Sequence, residues 1–242
     1  RGALPELAMT EMIRRFLAQK LGGVGTCIAF VLLAVLSAFL LQSGRPGTTI
    51  LAVILLSAGV VSRDARSGAL QMILSRPILR VEYLLGRYFG VLTGLAAFLL
   101  LSFGLALGLD RVNALAGWAP SSFSWRGALE TSAAEFPRGA LDAAILLFFS
   151  TFLRGIGDVL AYVLSFVILS VAPQIGMALG KPEIVRFFRG AMDNLAPAPA
   201  WSEVLRGGVL EPAFSRYVLA LTGYILLAAL VFNRREFSYG TD

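Results

Sequence analysis

The sequence predicts an all-α, polytopic integral membrane protein with about six transmembrane helices. Two observations predict this class. Hydrophobic residues make up 57% of the 242 residues and charged residues only 15%, with a mean hydropathy of +0.77, whereas soluble domains are about 45–50% apolar and about 25% charged. The charged residues also cluster in short stretches between long uncharged runs. A soluble fold would distribute them along every amphipathic helix, so we expect one membrane domain over residues 1–242.

Six apolar runs are candidate spans, because crossing about 30 Å of hydrocarbon takes about 20 apolar residues in a helix. The predicted spans are residues 21–41, 46–62, 86–109, 139–153, 159–179 and 216–232. The second and fourth are the weakest, and the fourth has Asp142 near one end. A re-entrant hairpin over 139–179 is the alternative, but Arg154 and Asp158 beside two glycines favour a tight polar turn between two helices.

The distribution of Lys and Arg predicts that both termini are cytoplasmic. With the N-terminus inside, the inside segments hold 12 basic residues and the outside segments hold 9. The excess is concentrated in the short loop at 63–87, which holds more basic residues than the short loop at 42–47. The positive-inside rule applies best to short loops. This bias accounts for the net charge of +6. No basic stripe alternates with exposed aromatic residues, so no nucleic-acid partner is expected.

Residues 1–20 predict an amphipathic helix that lies in the membrane interface. Apolar residues recur there at helical spacing, while Glu11, Arg14, Arg15 and Lys20 occupy other positions. Basic groups on such a helix lie near lipid headgroups, so membrane lipid is an expected partner. A plain cytoplasmic helix is the alternative. A cleavable signal peptide is not expected, because the apolar run that follows is too long.

The residues needed for catalysis are poorly represented. The sequence has no His and a single Cys, Cys27, inside the first apolar run, so nucleophile–His pairs and a zinc ligand set are excluded. The phosphate-binding pattern GxxxxGK[ST] is absent, since Gly180 and Lys181 are followed by Pro182. We therefore expect no metal, no cofactor and no enzyme activity of the chain by itself. The span centres also lack ionisable residues, which argues against an ion-coupled carrier.

Glycines at four-residue spacing open the third span. Gly86, Gly90 and Gly94 lie on one face of the predicted helix, and Gly104 and Gly108 repeat the spacing later. Such a face packs closely against another helix. The spacing alone leaves open whether that helix belongs to the same chain or to a second copy.

The segment 63–83 predicts a short amphipathic helix at the cytoplasmic face, between spans two and three. Charged residues are concentrated at its start, Leu70, Ile73 and Leu74 then recur at helical spacing, and Pro77 ends the helix. A helix of this kind can dock into a groove of a partner protein. An ordinary Arg-rich loop is the alternative.

At this segment the sequence resembles the permeases of the type-2 ABC exporter family. Those proteins carry a charged cluster, then Gly-Thr-Leu or similar, a Leu-rich turn, Ser-x-Pro, and Gly-Lys/Arg at the third span. The matching residues are Arg63, Asp64, Arg66, Ser67, Gly68, Ala69, Leu70, Leu74, Ser75, Arg76, Pro77, Leu85, Gly86 and Arg87. The basic segment from Phe232 to Phe237 is also similar to the family's closing segment. Ala69 in place of Thr and the length of the loop at 110–138 depart from the pattern.

The resemblance implies the permease subunit of an ATP-driven exporter of a bacterial plasma (inner) membrane. It would form the pathway with a second copy or a similar permease, and separate cytoplasmic ABC ATPase subunits would bind ATP and Mg. The residues that would couple to the ATPase are Glu11, Arg14, Arg15, Arg63, Asp64, Arg66, Gly68 and Leu70. A membrane scaffold or signalling subunit, driven by an ATPase without moving cargo, is the alternative. A membrane-embedded enzyme or carrier would need a polar cluster inside the spans.

Two long outer loops are expected, at 110–138 and 180–215. Both carry Trp among Pro residues, and Trp at such positions usually marks the membrane–water boundary. A binding site for exported cargo is the alternative interpretation, and a periplasmic or extracellular accessory protein is a further expected partner.

Overall fold

The computed structural model describes residues 3–43, 45, 47–61, 64, 79–116, 123–153, 156–197 and 212–234, with side chains from residue 10 onward. Within these ranges the chain is all-helical, as predicted, with eight helices and no strand. They are α1 (Ala3–Leu21), α2 (Val24–Gln42), α3 (Thr49–Ser57), α4 (Arg80–Leu115), α5 (Trp125–Phe152), α6 (Gly157–Ala178), α7 (Pro182–Leu195) and α8 (Pro212–Arg234). Four of the described helices, α2, α4, α6 and α8, are long and apolar enough to cross a membrane. Their length and composition indicate a membrane protein.

Helix α4 is the longest element and the one around which the others are arranged. Its 36 residues span about 54 Å. The part from Tyr88 to Leu109 carries no charged side chain, and its length of about 33 Å matches the hydrocarbon layer. Helices α1, α2, α3, α5 and α8 all pack against α4.

The core and the exterior of the bundle are both apolar. Phe98, Leu56 and Leu146 are fully buried between α4, α3 and α5, whereas α2, α6 and α8 expose large side chains such as Leu32 and Leu219. An exposed apolar surface of this extent is unfavourable in water and suits contact with lipid or with another membrane subunit.

The region of the second predicted span, 46–62, differs from a full transmembrane helix. Helix α3 has nine residues, about 14 Å, and ends at Ser57. Residues 58–61 form a turn in which Gly59 has a φ of 66°, a left-handed conformation that favours glycine. The apolar composition continues through this turn, so hydropathy could not locate the end of the helix.

Most of the first predicted outer loop, 110–138, is helical. Helix α4 continues to Leu115, and α5 begins at Trp125, where the Ser124 hydroxyl accepts a hydrogen bond of 3.3 Å from the Gly127 N–H. Residues 117–122 lie outside the described part of the chain. The prediction ended each helix where its apolar stretch ended, but helices continue into polar sequence once they leave the hydrocarbon layer.

The second predicted outer loop, 180–215, contains α7. A turn with Gly180 at φ 63° separates it from α6, and the Lys181 N–H donates to the Gly176 carbonyl at 2.9 Å. Pro182 then opens α7, a position where its missing N–H costs nothing. Residues 198–211 lie outside the described ranges.

The two helices predicted at 139–153 and 159–179 fall within α5 and α6. Helix α5 is longer than that span, and it begins 14 residues earlier, at Trp125. The two helices are separated by a short connection between Phe152 and Gly157. Arg154 and Gly155 of the predicted polar turn lie outside the described residues.

Candidate functional site

A buried ion pair connects Asp64 to α4. Asp64 is 1% exposed and Arg87 is 7% exposed. The Arg87 guanidinium binds the Asp64 carboxylate through Nη2, and the Tyr83 hydroxyl donates to the same carboxylate at 2.5 Å. Arg87 Nε also donates to the Tyr83 hydroxyl at 3.3 Å. Because a buried charge is costly unless it is paired and hydrogen-bonded, these contacts fix the position of Asp64.

Helix α1 covers this ion pair. The Gln19 side chain accepts a hydrogen bond from Arg87 Nη1 at 3.2 Å, and its amide nitrogen lies 3.4 Å from Asp64 Oδ1, to which it donates. The fully buried ring of Phe16 lies 5.4 Å from the guanidinium carbon of Arg87, within the range of a cation–π interaction. Both charged groups are thereby kept from solvent by α1.

The turn before Asp64 is held by three further polar contacts. Lys20 of α1 donates to the Ala58 carbonyl at 2.6 Å. The buried Asp158 of α6 accepts from the Gly59 N–H at 2.8 Å. The Ser150 hydroxyl of α5 accepts from the Val61 N–H at 3.0 Å. We call residues 58–61 and 64, with these partners in α1, α4, α5 and α6, the junction.

The end of α8 lies at the junction as well. The Phe232 ring stacks on Tyr83 at 5.8 Å, and Arg80 Nη1 donates to the Asn233 carbonyl at 2.9 Å. We call this side of the bundle the junction end, and the opposite side, near Leu115, the far end. Polar contacts at the junction thus connect four helices, α1, α4, α5 and α6, to the chain before residue 65, and α8 joins them through α4.

The glycine stripe of α4 explains how α1 approaches so closely. A Cβ atom at Gly90 would lie 2.5 Å from the Phe16 ring, and one at Gly94 would lie 3.0 Å from Leu56. Gly86 faces the Met12 side chain. The three glycines therefore pack against α1 and α3 of the same chain. A Cβ at Gly104 or Gly108 would meet nothing within 4 Å among the described residues.

The expected coupling residues of α1 lie on its exposed face. Arg14 Nε and Arg15 Nε each lie 2.9 Å from a Glu11 carboxylate oxygen, and the two Arg side chains are 77% and 70% exposed. Hydrogen bonds from Arg14 and then Arg15 lower the pKa of Glu11 to about 2, so Glu11 is ionised at neutral pH. This face is accessible to a partner, and its contact with an ATPase stays a prediction.

Asp64 differs from the expected coupling residues of α1 in being buried. The sequence places it in a charged cluster, which indicates an exposed side chain, whereas the structure buries it against Arg87. This burial holds the chain in place at Asp64, and the coupling of Asp64 to an ATPase stays a prediction. Four other expected coupling residues lie outside the described part of the chain: Arg63, Arg66, Gly68 and Leu70.

Several residues of the junction are not apparent from sequence patterns. Gln19, Tyr83 and Ser150 have no motif around them, and Asp158 was expected only as part of a polar turn. Their contacts bridge up to 99 positions of the chain. One signal was available. Arg87 is the last charged residue before the uncharged stretch of α4, and a cation at that position needs an anionic partner nearby.

Tyrosines form a second polar region in the middle of α5. The Tyr217 hydroxyl donates to the Pro137 carbonyl at 2.7 Å, and the Tyr88 hydroxyl donates to the Ala140 carbonyl at 3.1 Å. Tyr162 of α6 lies close enough to Asp142 of α5 to interact electrostatically with its carboxylate. These contacts join α4, α6 and α8 to α5 and stabilise the bundle between the junction and the far end.

No protein-family model, curated protein or solved structure matches this chain. The resemblance to type-2 ABC permeases is therefore carried by the residues at 63–87 and 232–237 themselves.

Proposed function

We propose that the chain is the permease subunit of an ATP-binding-cassette exporter, which forms a transport pathway with a second permease and is driven by separate cytoplasmic ATPase subunits. The observation that supports this best is the junction. The segment at 65–78, which resembles the family's coupling segment, lies in the sequence between two described residues, Asp64 and Leu79. Both of these residues are fixed against α4, by the Asp64–Arg87 ion pair and by the bond from the Leu79 N–H to Glu82.

A segment anchored in this way can transmit force. Residues 58–61 and Asp64 are bound to α1, α4, α5 and α6, and α4 is bound to α8. Displacement of the segment by an ATPase would therefore move these helices as a group, because breaking the buried contacts would cost more than moving them together. Rigid-body movement of packed helices is a common form of transport switching.

The exposed face of α1 would give the ATPase a second contact. Glu11, Arg14 and Arg15 lie one to two helical turns from Gln19, which touches the ion pair. Both proposed contact regions thus act on the same buried group. ATP and Mg would be bound by the ATPase, since the sequence has no phosphate-binding loop.

The topology is part of this proposal. In chain order α2, α3 with its turn, α4, α5, α6 and α8 give six passages between the junction end and the far end. We propose that the junction end faces the cytoplasm of a bacterial cell and that both termini lie there, since the basic-rich stretch 63–87 connects the turn after α3 to the first turns of α4, both at that end.

The proposal is tested by co-purification from native membranes. We expect the tagged chain to elute with an ATPase whose turnover is inhibited by vanadate. The double variant Arg14→Glu/Arg15→Glu should lose most of that ATPase while keeping its own yield, because both side chains are exposed. Arg126→Glu, which reverses an exposed charge at the start of α5, is the matched control and should retain the ATPase. Absence of any ATPase with the unaltered chain would contradict the proposal.

A further inference from the structure

Helix α7 folds back along α6 toward the junction end. After the Gly180 turn, Ile184 and Val185 pack on Gly176 of α6, where an added Cβ would lie 3.0 Å from either side chain. Helix α7 packs along α6 and contacts α8. Its 14 residues give it a length of about 21 Å.

The depth that α7 reaches can be read from its contact with α8. The Leu195 carbonyl, at the end of α7, accepts a hydrogen bond of 3.1 Å from the Tyr224 hydroxyl. Tyr224 lies eight residues, about 12 Å, from Phe232, whose ring stacks on Tyr83 near the start of α4. The same distance along α4 from Tyr83 reaches the first turns of its uncharged stretch, which begins at Tyr88. The end of α7 therefore lies in the half of the apolar layer nearer the junction.

Helix α7 carries a charged stripe along its whole length. Ile184, Val185, Phe188 and Met192 are half-buried on the side toward the bundle. The charged side chains recur at intervals of three, three and four residues on the opposite side, and all are exposed: Glu183, Arg186, Arg189 and Asp193. None of the four forms an ion pair with another residue that the structure describes.

Hydrocarbon cannot accommodate such a stripe. A charged side chain at depth in a bilayer is costly, and such residues face a bundle interior or a water-filled cavity. Long Arg side chains can extend to the interface, but Asp193 is short and lies at the deep end of the helix. The stripe is continuous from Glu183, at the far end, to Asp193.

We propose that α7 is a re-entrant helix whose charged face lines a water-filled space in the assembled protein. The space opens at the far end and extends past the middle of the apolar layer. This inference rests on the membrane placement given above and not on ATP-driven transport, so it can fail while the exporter proposal stands, or hold if no ATPase is found.

Cysteine accessibility tests the inference, because Cys27 is the chain's single cysteine. In a Cys27→Ser background, Asp193→Cys is compared with Ile168→Cys, which is 55% exposed on the apolar face of α6 about 15 Å from Asp158. Leu115→Cys, 89% exposed at the far end, gives the rate in open water. Each variant is treated in spheroplasts with a sulfonated, membrane-impermeant maleimide, and total thiol is measured after denaturation.

We expect Asp193→Cys to react within about tenfold of the Leu115→Cys rate and Ile168→Cys to react about a hundredfold more slowly, since only a hydrated thiol ionises and reacts. Equal protection of Asp193→Cys and Ile168→Cys would overturn the inference. So would reaction of Asp193→Cys only in inside-out vesicles, because the space would then open at the junction end. Arg186→Cys and Asn194→Cys provide the same comparison if Asp193→Cys does not accumulate.

Discussion

Arg87 shows how strongly one residue at the edge of the membrane layer can depend on its partners. Its guanidinium contacts Asp64, Tyr83 and Gln19 and lies beside the Phe16 ring. A buried charge that loses its partner costs about 3–5 kcal/mol. We therefore expect Arg87→Met to lower the free energy of unfolding, measured by SDS titration in mixed micelles, by about that amount.

Two comparisons separate this effect from loss of a side chain in general. The double variant Asp64→Asn/Arg87→Met should be less damaging than Arg87→Met, because it removes both charges and leaves neither unpaired. Arg14→Met breaks an ion pair that is exposed to solvent and should leave the free energy of unfolding unchanged. If Arg87→Met and Arg14→Met gave the same result, the ion pair would not stabilise the fold.

The sequence located the charged cluster at residues 63–66 but not the role of its members. Local patterns show where charge is concentrated, and exposure is the usual consequence. Asp64 is buried because it pairs with Arg87, a residue 23 positions further along the chain. No periodicity encodes that distance, so only the three-dimensional structure could separate Asp64 from the exposed residues of α1.

At the level of helices, the glycine stripe of α4 determines where α1 can lie. Gly90→Ala places a methyl group against the rigid Phe16 ring, whereas Gly104→Ala places one in open space on the same helix. We expect Gly90→Ala to reduce the free energy of unfolding by about 1–3 kcal/mol, as overpacking does. Gly104→Ala should be neutral or stabilise by up to about 1 kcal/mol, because Ala favours helix. Equal effects would show that α1 does not pack against this face.

The turn at 58–61 can be examined through its contact with α6. Asp158→Ala removes the acceptor of the Gly59 N–H and should speed amide hydrogen exchange at residues 58–61 by about tenfold or more, since a hydrogen bond to a charged group contributes about 1.5–3 kcal/mol. Exchange in α2, which has no contact with Asp158, is the internal control. Unchanged exchange at the turn would mean that Lys20 and Ser150 suffice to hold it.

The sequence predicted which apolar segments form helices better than it predicted where each helix begins and ends. Apolar composition identified α2, α4, α6 and α8, because hydropathy reports the surface that lipid would cover. Apolar composition missed α7 within the predicted loop 180–215. This helix has one charged face and one apolar face, so its average hydropathy is low. Helical spacing of Ile184, Val185, Phe188 and Met192 was the signal that could have identified it.

At the scale of the whole molecule, the contacts determine which parts of the chain share an end. Phe16 and Gln19 of α1, and Phe232 and Asn233 of α8, all touch the first two turns of α4. The end of α2 contacts α4 near its other end, where Gln42 donates to the Ala106 carbonyl at 3.2 Å. The chain must therefore pass between the two ends an even number of times between α1 and the end of α8.

This arrangement predicts the sidedness of the protein without reference to its partner. In a Cys27→Ser background, we expect Arg14→Cys and Asn233→Cys to react with an impermeant maleimide from one side of the membrane, and Arg45→Cys and Leu115→Cys from the other, because all four positions are exposed. Opposite sidedness of Arg14 and Asn233 would require an odd number of crossings. The contacts that α1 and the end of α8 make with the same end of α4 would then be impossible in one molecule, and the six-passage topology would be wrong.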